Sequence, residues 1–113
     1  MNMNGLVKKK CVPCDGGVPP FTKEKAKEYL LQVDGWELIE ESRKIQKTFK
    51  FNAFFESVSF FNKIAAIMEI EGHHANVFVN YNKVTLTIYT HKINGLHEND
   101  FILAAKIDQI IKK

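Results

Sequence analysis

No stretch of the chain approaches the ~20 consecutive apolar residues that a membrane span requires, and residues 1–20 lack the apolar run of a secretion signal. A cytoplasmic protein with no membrane partner is therefore expected. Cysteine is scarce. Cys11 and Cys14 form a lone C-x-x-C near the N-terminus, which in a reducing compartment stays as thiols. A redox pair wants the start of a helix after a strand, whereas Asp15-Gly16-Gly17 and Pro19-Pro20 follow here; a zinc site would need two further ligands. Excess charge is also small: the formal net charge is +3, with Lys8-Lys9-Lys10 and Lys112-Lys113 at the termini. No basic residues group on one face of a folded element, so no direct nucleic-acid contact is expected. Also missing are a G-x-G-x-x-G, a Walker-type loop and a G-x-S-x-G, which leaves nucleotide cofactors and serine hydrolysis without support.

What is present is ordinary globular composition, 45% hydrophobic and 26% charged, with nine Phe, three Tyr and one Trp that need burial. At 113 residues the chain fits one domain able to fold without staples. Residues 1–20, polar and then rich in Gly and Pro, read as an irregular N-terminal arm. Thr22 is a candidate N-cap, and Ala26, Tyr29, Leu30 and Val33 fall on one helical stripe that Gly35 ends. Trp36 to Ile39 and Ile45 to Phe51 read as two strands joined through Glu40, Glu41 and Ser42. Asn52 is placed to cap a longer helix whose core stripe is Phe54, Val58, Phe61, Ala65 and Met68, widened by Phe55, Ile64 and Ile67.

After Gly72, Val77 to Tyr81 and Val84 to His91 carry the strongest hairpin signal, with Asn82-Lys83 between them. A last helix begins near Glu98 and Asp100 and buries Phe101, Ala104, Ile107 and Ile111. The order α-β-β-α-β-β-α implies an α+β fold: a four-stranded antiparallel sheet with three helices packed on one face.

Matching apolar residues across the last hairpin sets a register of Tyr81 with Val84, Val79 with Leu86 and Val77 with Ile88. Continued outward, it opposes Ala75 with Thr90 and His74 with His91, and His73 lies beside them. Three imidazoles gathered at one strand end suit proton transfer at neutral pH, because an unperturbed imidazole titrates near pKa ~6.5. A metal site asks for more: adjacent His73 and His74 point to opposite sides of an extended chain. His97, in the loop before the last helix, reads as a helix cap.

Glu69-Ile70-Glu71-Gly72-His73-His74, then Val79-Asn80-Tyr81-Asn82-Lys83-Val84, then Thr90-His91 and Gly95-Leu96 ahead of Asp100, resembles the pterin-4a-carbinolamine dehydratases. Cys11 to Pro20 and Gly35-Trp36-Glu37-Leu38 look like bacterial members, so the resemblance spans nearly the whole chain. It implies dehydration of 4a-hydroxytetrahydropterin to quinonoid dihydropterin, after an aromatic amino acid hydroxylase has used the reduced pterin. The pterin is then the substrate, and no cofactor or metal is implied. The resemblance assigns His73, His74 and His91 as catalytic, with His73 and His91 as the acid–base pair and His74 binding and orienting the pterin while assisting proton transfer. It places main-chain groups around Ala75 and Thr90 on the ring edge, supported by Glu69 and Asp100. It also implies a homodimer or homotetramer. Relatives of this fold serve as a transcriptional coactivator or as assembly helpers; the helper forms can dispense with the His set, so its retention here argues for chemistry. The chain departs from the family at Ala75, where Pro is common, at Val77, where an aromatic is frequent, and at Asn99, where animal members have Arg.

Overall fold

A computed structural model describes residues 4–12 and 17–111. In chain order the elements are α1 (Asn4–Val7), α2 (Lys23–Leu30), β1 (Glu37–Ile39), β2 (Lys44–Lys50), α3 (Phe54–Glu71), β3 (Asn76–Asn80), β4 (Lys83–Ile88), a 3-10 turn (His91–Ile93) and α4 (Glu98–Ile111). The four strands form one antiparallel sheet in the order β1-β2-β4-β3, with the long helices on one face, as the pattern of elements predicts. The N-terminal segment differs from the expected irregular arm. It contains the helical turn α1, whose Leu6 is buried in the core and which packs on α4. Cys11 is buried; Cys14 lies outside the described residues, and with it the C-x-x-C pair.

Ile45 and Phe49 of β2 and Val84, Leu86 and Ile88 of β4 alternate toward the helices, the period of two that a half-covered sheet requires. On the open face, register partners are polar: Thr48 and Thr85 hydroxyls lie 2.8 Å apart, and Gln46 Nε2 donates to Thr87 Oγ1 at 2.9 Å. α4 sits at the centre. Phe101 to Ala105 are all buried because α1, α2 and α3 flank it. Trp36 is tied to the same helix, its indole N–H donating to Asp108, which also accepts from Lys47 Nζ at 2.8 Å and from the Asp34 N–H. Burial outweighs these partners and holds the Asp108 carboxyl above its usual value.

Three expectations about packing need correction. Ile111, expected on the buried stripe of α4, is exposed. The buried stripe of α3 is Ser57, Phe60, Ile64 and Met68, not the stripe through Phe54, Val58, Phe61 and Ala65. Phe54, Phe55 and Phe61 are exposed. The helix is apolar on nearly every side, so periodicity did not single out the face. Packing did, through Phe60, whose ring lies 4.7 Å from Phe49 and 5.2 Å from Phe51. The N-cap is Ala53 rather than Asn52, without a side-chain cap; instead the Asn52 N–H donates to the Glu56 carboxylate at 2.8 Å.

The last hairpin is shifted by two residues. Val79 pairs with Val84 and Val77 with Leu86, and the turn is Tyr81-Asn82, with Tyr81 at φ +56°. A shift of two keeps every side chain on its face, so apolar matching fits either register. The observed one lets the Asn82 carbonyl accept from the Phe51 N–H and the Asn82 amide donate to the Phe51 carbonyl, prolonging the contact between β2 and β4.

Candidate active site

Gly72 ends α3 in the left-handed region at φ +68°, its N–H bonded to the Met68 carbonyl, and turns the chain into His73 and His74. A side chain there would be strained, which is the physical reason for glycine at this junction. Opposite it, β4 stops at Ile88 and an isolated bridge between Thr90 and Gly95 folds the chain into the turn that begins at His91. His91 is therefore not the cross-strand neighbour of His74. The three imidazoles converge by a helix end and a turn rather than by a ladder.

They line one cleft of about 630 Å³, within the range of roughly 300–1,000 Å³ usual for small-molecule sites. Thr90 and Lys92 continue its wall beside His91, and Glu71 and Gly72 beside His73. His73 is held most firmly. Its Nε2 lies 2.6 Å from Asp100 Oδ1, and the Asp100 side chain is completely buried. The other carboxylate oxygen accepts from the Thr90 hydroxyl and from the His97 N–H, both at 2.9 Å. The bond to His97 is the reach-back of a capping box, from the first turn of α4 to the residue before it. Asp100 thus closes the helix start and orients His73 with one side chain. With Asp100 as a carboxylate, which only accepts, His73 Nε2 is the donor of this bond and Nδ1 is the second nitrogen of the ring.

His74 Nε2 lies 2.9 Å from Glu69 Oε2 in an exposed pair, and His91 stacks on Tyr89 with ring centroids 4.2 Å apart. Two of the three imidazoles therefore have a carboxylate behind them and one has an aromatic face. Among the described residues no group of three or more His, Cys, Asp or Glu side chains is arranged to hold a metal ion. In the cleft wall, Glu71 bridges the Cys11 N–H at 2.9 Å and Lys106 Nζ at 2.5 Å. Burial opposes charge on Glu71, but the bonds from Lys106 and Cys11 and the charges of Lys106 and Lys10 outweigh it, holding the carboxyl below its usual range. Burial and the adjacent Glu71 carboxylate push the Cys11 thiol up to about 12.

The sequence pattern of the pterin 4 alpha carbinolamine dehydratases matches residues 19–110. This chain belongs to that family. A protein of Methylococcus capsulatus, provisionally named a pterin-4-alpha-carbinolamine dehydratase, is 44% identical over 110 residues, covering 97% of this chain and 96% of that one. A protein of Halorhodospira halophila with the same provisional name is 46% identical over 105 residues, covering 93% and 96%. Among solved structures, a transcriptional coactivator/pterin dehydratase of Brucella melitensis superposes with a TM-score of 0.76 at 33% identity, over 80% of this chain and 97% of that one. A pterin dehydratase-like protein identified as a RuBisCO assembly factor in the alpha-carboxysome shares the fold, with a TM-score of 0.61 at 21% identity over 70% and 92%.

Set against the resemblance to the carbinolamine dehydratases, the expected residues separate into two groups. His73, His74, His91 and Thr90 line the cleft. Glu69 and Asp100 instead stand behind His74 and His73 as hydrogen-bond partners. Ala75 is not part of the wall, and its N–H donates to Met68 Sδ at 3.1 Å. The Thr90 N–H is taken by the Gly95 carbonyl at 2.9 Å, so it is not free for a ring edge. His97 does cap α4, its Nδ1 accepting from the Asn99 N–H at 3.4 Å. Sequence reasoning missed Tyr89, Glu71 and the N-terminal residues Lys10 to Val12. Tyr89 and Glu71 each stand two residues before a cleft histidine, which was a signal; the approach of the N-terminal segment had none.

Proposed function

We propose that this protein dehydrates 4a-hydroxytetrahydropterin to quinonoid dihydropterin by histidine acid–base catalysis. The observation that carries the reading is the shared cleft of His73, His74 and His91, with His73 oriented by the buried Asp100; membership of the dehydratase family supports it. The carbinolamine C4a–O bond breaks as an acid delivers a proton to the hydroxyl, which leaves as water. A base takes the N5 proton, and the electron pair left behind forms the N5=C4a double bond. The oxidation level of the carbon–nitrogen skeleton does not change on loss of water, so the step calls for no redox cofactor, and the proton balance needs one acid and one base.

His73 and His91 take those two roles, and His74, steered by Glu69, orients the pterin. Thr90 contributes to the cleft wall, while Asp100 acts on substrate only through His73. The protein works in the cytoplasm on pterin released by an aromatic amino acid hydroxylase, and it does so as a homo-oligomer. The face of α3 carrying Phe54, Phe55 and Phe61 is exposed, with Phe55 83% accessible, and supports self-association. Phe55→Glu should convert the oligomer to a folded monomer in sedimentation. For the chemistry, purified protein should accelerate the decay of the carbinolamine ultraviolet signal generated by a hydroxylase. His73→Ala and His91→Ala should each lower that rate about 100-fold, the scale of an acid–base group. Equal inertness of wild type and both variants would remove the proposal.

A further inference from the structure

The segment before residue 19 lies outside the stretch that the family's sequence pattern matches, although relatives align over as much as 97% of the chain, and it is bound to the body of the protein at several points. Lys9 pairs with Glu98 at 2.6 Å, and Lys10 Nζ donates to the Ile70 carbonyl at 2.9 Å. The Cys11 N–H donates to Glu71, and the Cys11 thiol points at the Asn99 carbonyl, 3.5 Å away. The most specific contact is made by Asn99, a residue only 2% exposed. Its Oδ1 accepts from the Val12 N–H at 3.0 Å and its Nδ2 donates to the Val12 carbonyl at 2.7 Å. The carboxamide thereby satisfies both polar groups of one residue, as a neighbouring strand would. Lys10, Cys11, Val12 and Asn99 all line the cleft that holds His73, His74 and His91.

We infer that Lys10 to Val12 form a wall of the substrate cleft and that Asn99 is the positioning residue that pins this wall in place. The inference rests on the proposed pterin site and adds to it a binding role for residues beyond the family's matched region. Asn99 touches no reacting atom. Its removal leaves the Val12 N–H and carbonyl without partners, and they regain hydrogen bonds only by moving into water, which carries the wall away from the cleft. Ligand contact is lost, while the tie between His73 and Asp100 on the other side stays intact. The effect therefore belongs to binding and not to proton transfer.

The test uses the full chain with Asn99→Ala, and a second variant lacking residues 1–12; circular dichroism establishes that each is folded. For Asn99→Ala, KM for hydroxylase-generated carbinolamine, and Kd for 7,8-dihydropterin by calorimetry, should rise about 10-fold, with kcat within about threefold and the pH profile unmoved, the pattern of lost ground-state binding. The same change should appear in the truncated chain. In a Cys14→Ser background, Cys11 should react slowly with a maleimide, more slowly still under saturating 7,8-dihydropterin, and at least about 10-fold faster with Asn99→Ala, because exposure and thiolate fraction both control the reaction. Unchanged KM and Kd in folded variants, or Cys11 labelling indifferent to Asn99 and to the pterin, overturns the inference while leaving the dehydratase reading standing. A wild-type protein that neither binds nor turns over the pterin overturns both.

Discussion

Replacing Asp100 by Asn changes very little shape and should nevertheless remove most of the activity. In the native site one oxygen serves the Thr90 hydroxyl and the His97 N–H, and the other faces His73 Nε2. The amide can keep its oxygen toward Thr90 and His97, which places its NH2 against His73. Nε2 must then accept, and the ring proton moves to Nδ1, so each nitrogen of His73 exchanges its donor or acceptor role. All three contacts survive as neutral hydrogen bonds, each weaker than its charge-assisted form by about 1 kcal/mol, so the stability loss should stay within about 3 kcal/mol. The rate should fall by up to about 100-fold, the loss expected when His73 itself is removed, which at 1.36 kcal/mol per decade is about 2.7 kcal/mol on the barrier. Urea denaturation measures the first quantity and turnover of hydroxylase-generated substrate the second. Nitrogen-15 imidazole shifts report the tautomer directly: Nε2–H in the native protein, Nδ1–H in the variant. A folded variant with native turnover would refute the reasoning, as would a His73 proton found on the same nitrogen in both proteins.

The acid limb of stability should carry a contribution from Glu71, whose carboxyl is held below its usual value in the fold. A depressed carboxylate stabilises fully above its unfolded pKa and loses that contribution as pH falls through the folded one. Glu71→Gln should therefore be less stable than wild type at pH 7, with the gap in denaturant midpoint closing below about pH 4.5; a gap independent of pH would contradict it. Ile64 is completely buried on the inner stripe of α3, so Ile64→Ala should cost about 2–5 kcal/mol in chemical denaturation. A loss under about 1 kcal/mol would mean that this stripe does not face a close-packed core.

Much of the architecture was readable from local pattern. Alternation in β2 and β4, the Thr22 cap confirmed by its bond to the Lys25 N–H, and Gly72 at the end of α3 are short-range effects, decided by neighbours a few residues apart. The His-His pair and its partner Thr90-His91 were recognisable because their identity and order survive in the chain whatever the packing does. Asp100 was ambiguous between a first-turn helix residue and a site residue for a physical reason: it is both, and only its distances to His73 and His97 reveal that.

What local pattern left open shares one cause, which is that several arrangements satisfy it equally. The apolar surround of α3 allowed more than one inner face, and the contact of Phe60 with Phe49 and Phe51 chose among them. The hairpin admitted two registers with identical facing, and the amide of Asn82 on Phe51 selected the one that separates His91 from His74 along the sheet. The amino-acid order by itself determined the four strands and the three longer helices, their antiparallel layering and which imidazoles are present, but not the helical turn α1. Tertiary structure alone decided how those imidazoles meet, through the end of α3 and the turn after β4, and brought Val12 against Asn99, 87 residues away in the chain. Contacts between residues so distant in sequence leave no periodicity to read; they exist only once burial and hydrogen bonding have closed the fold.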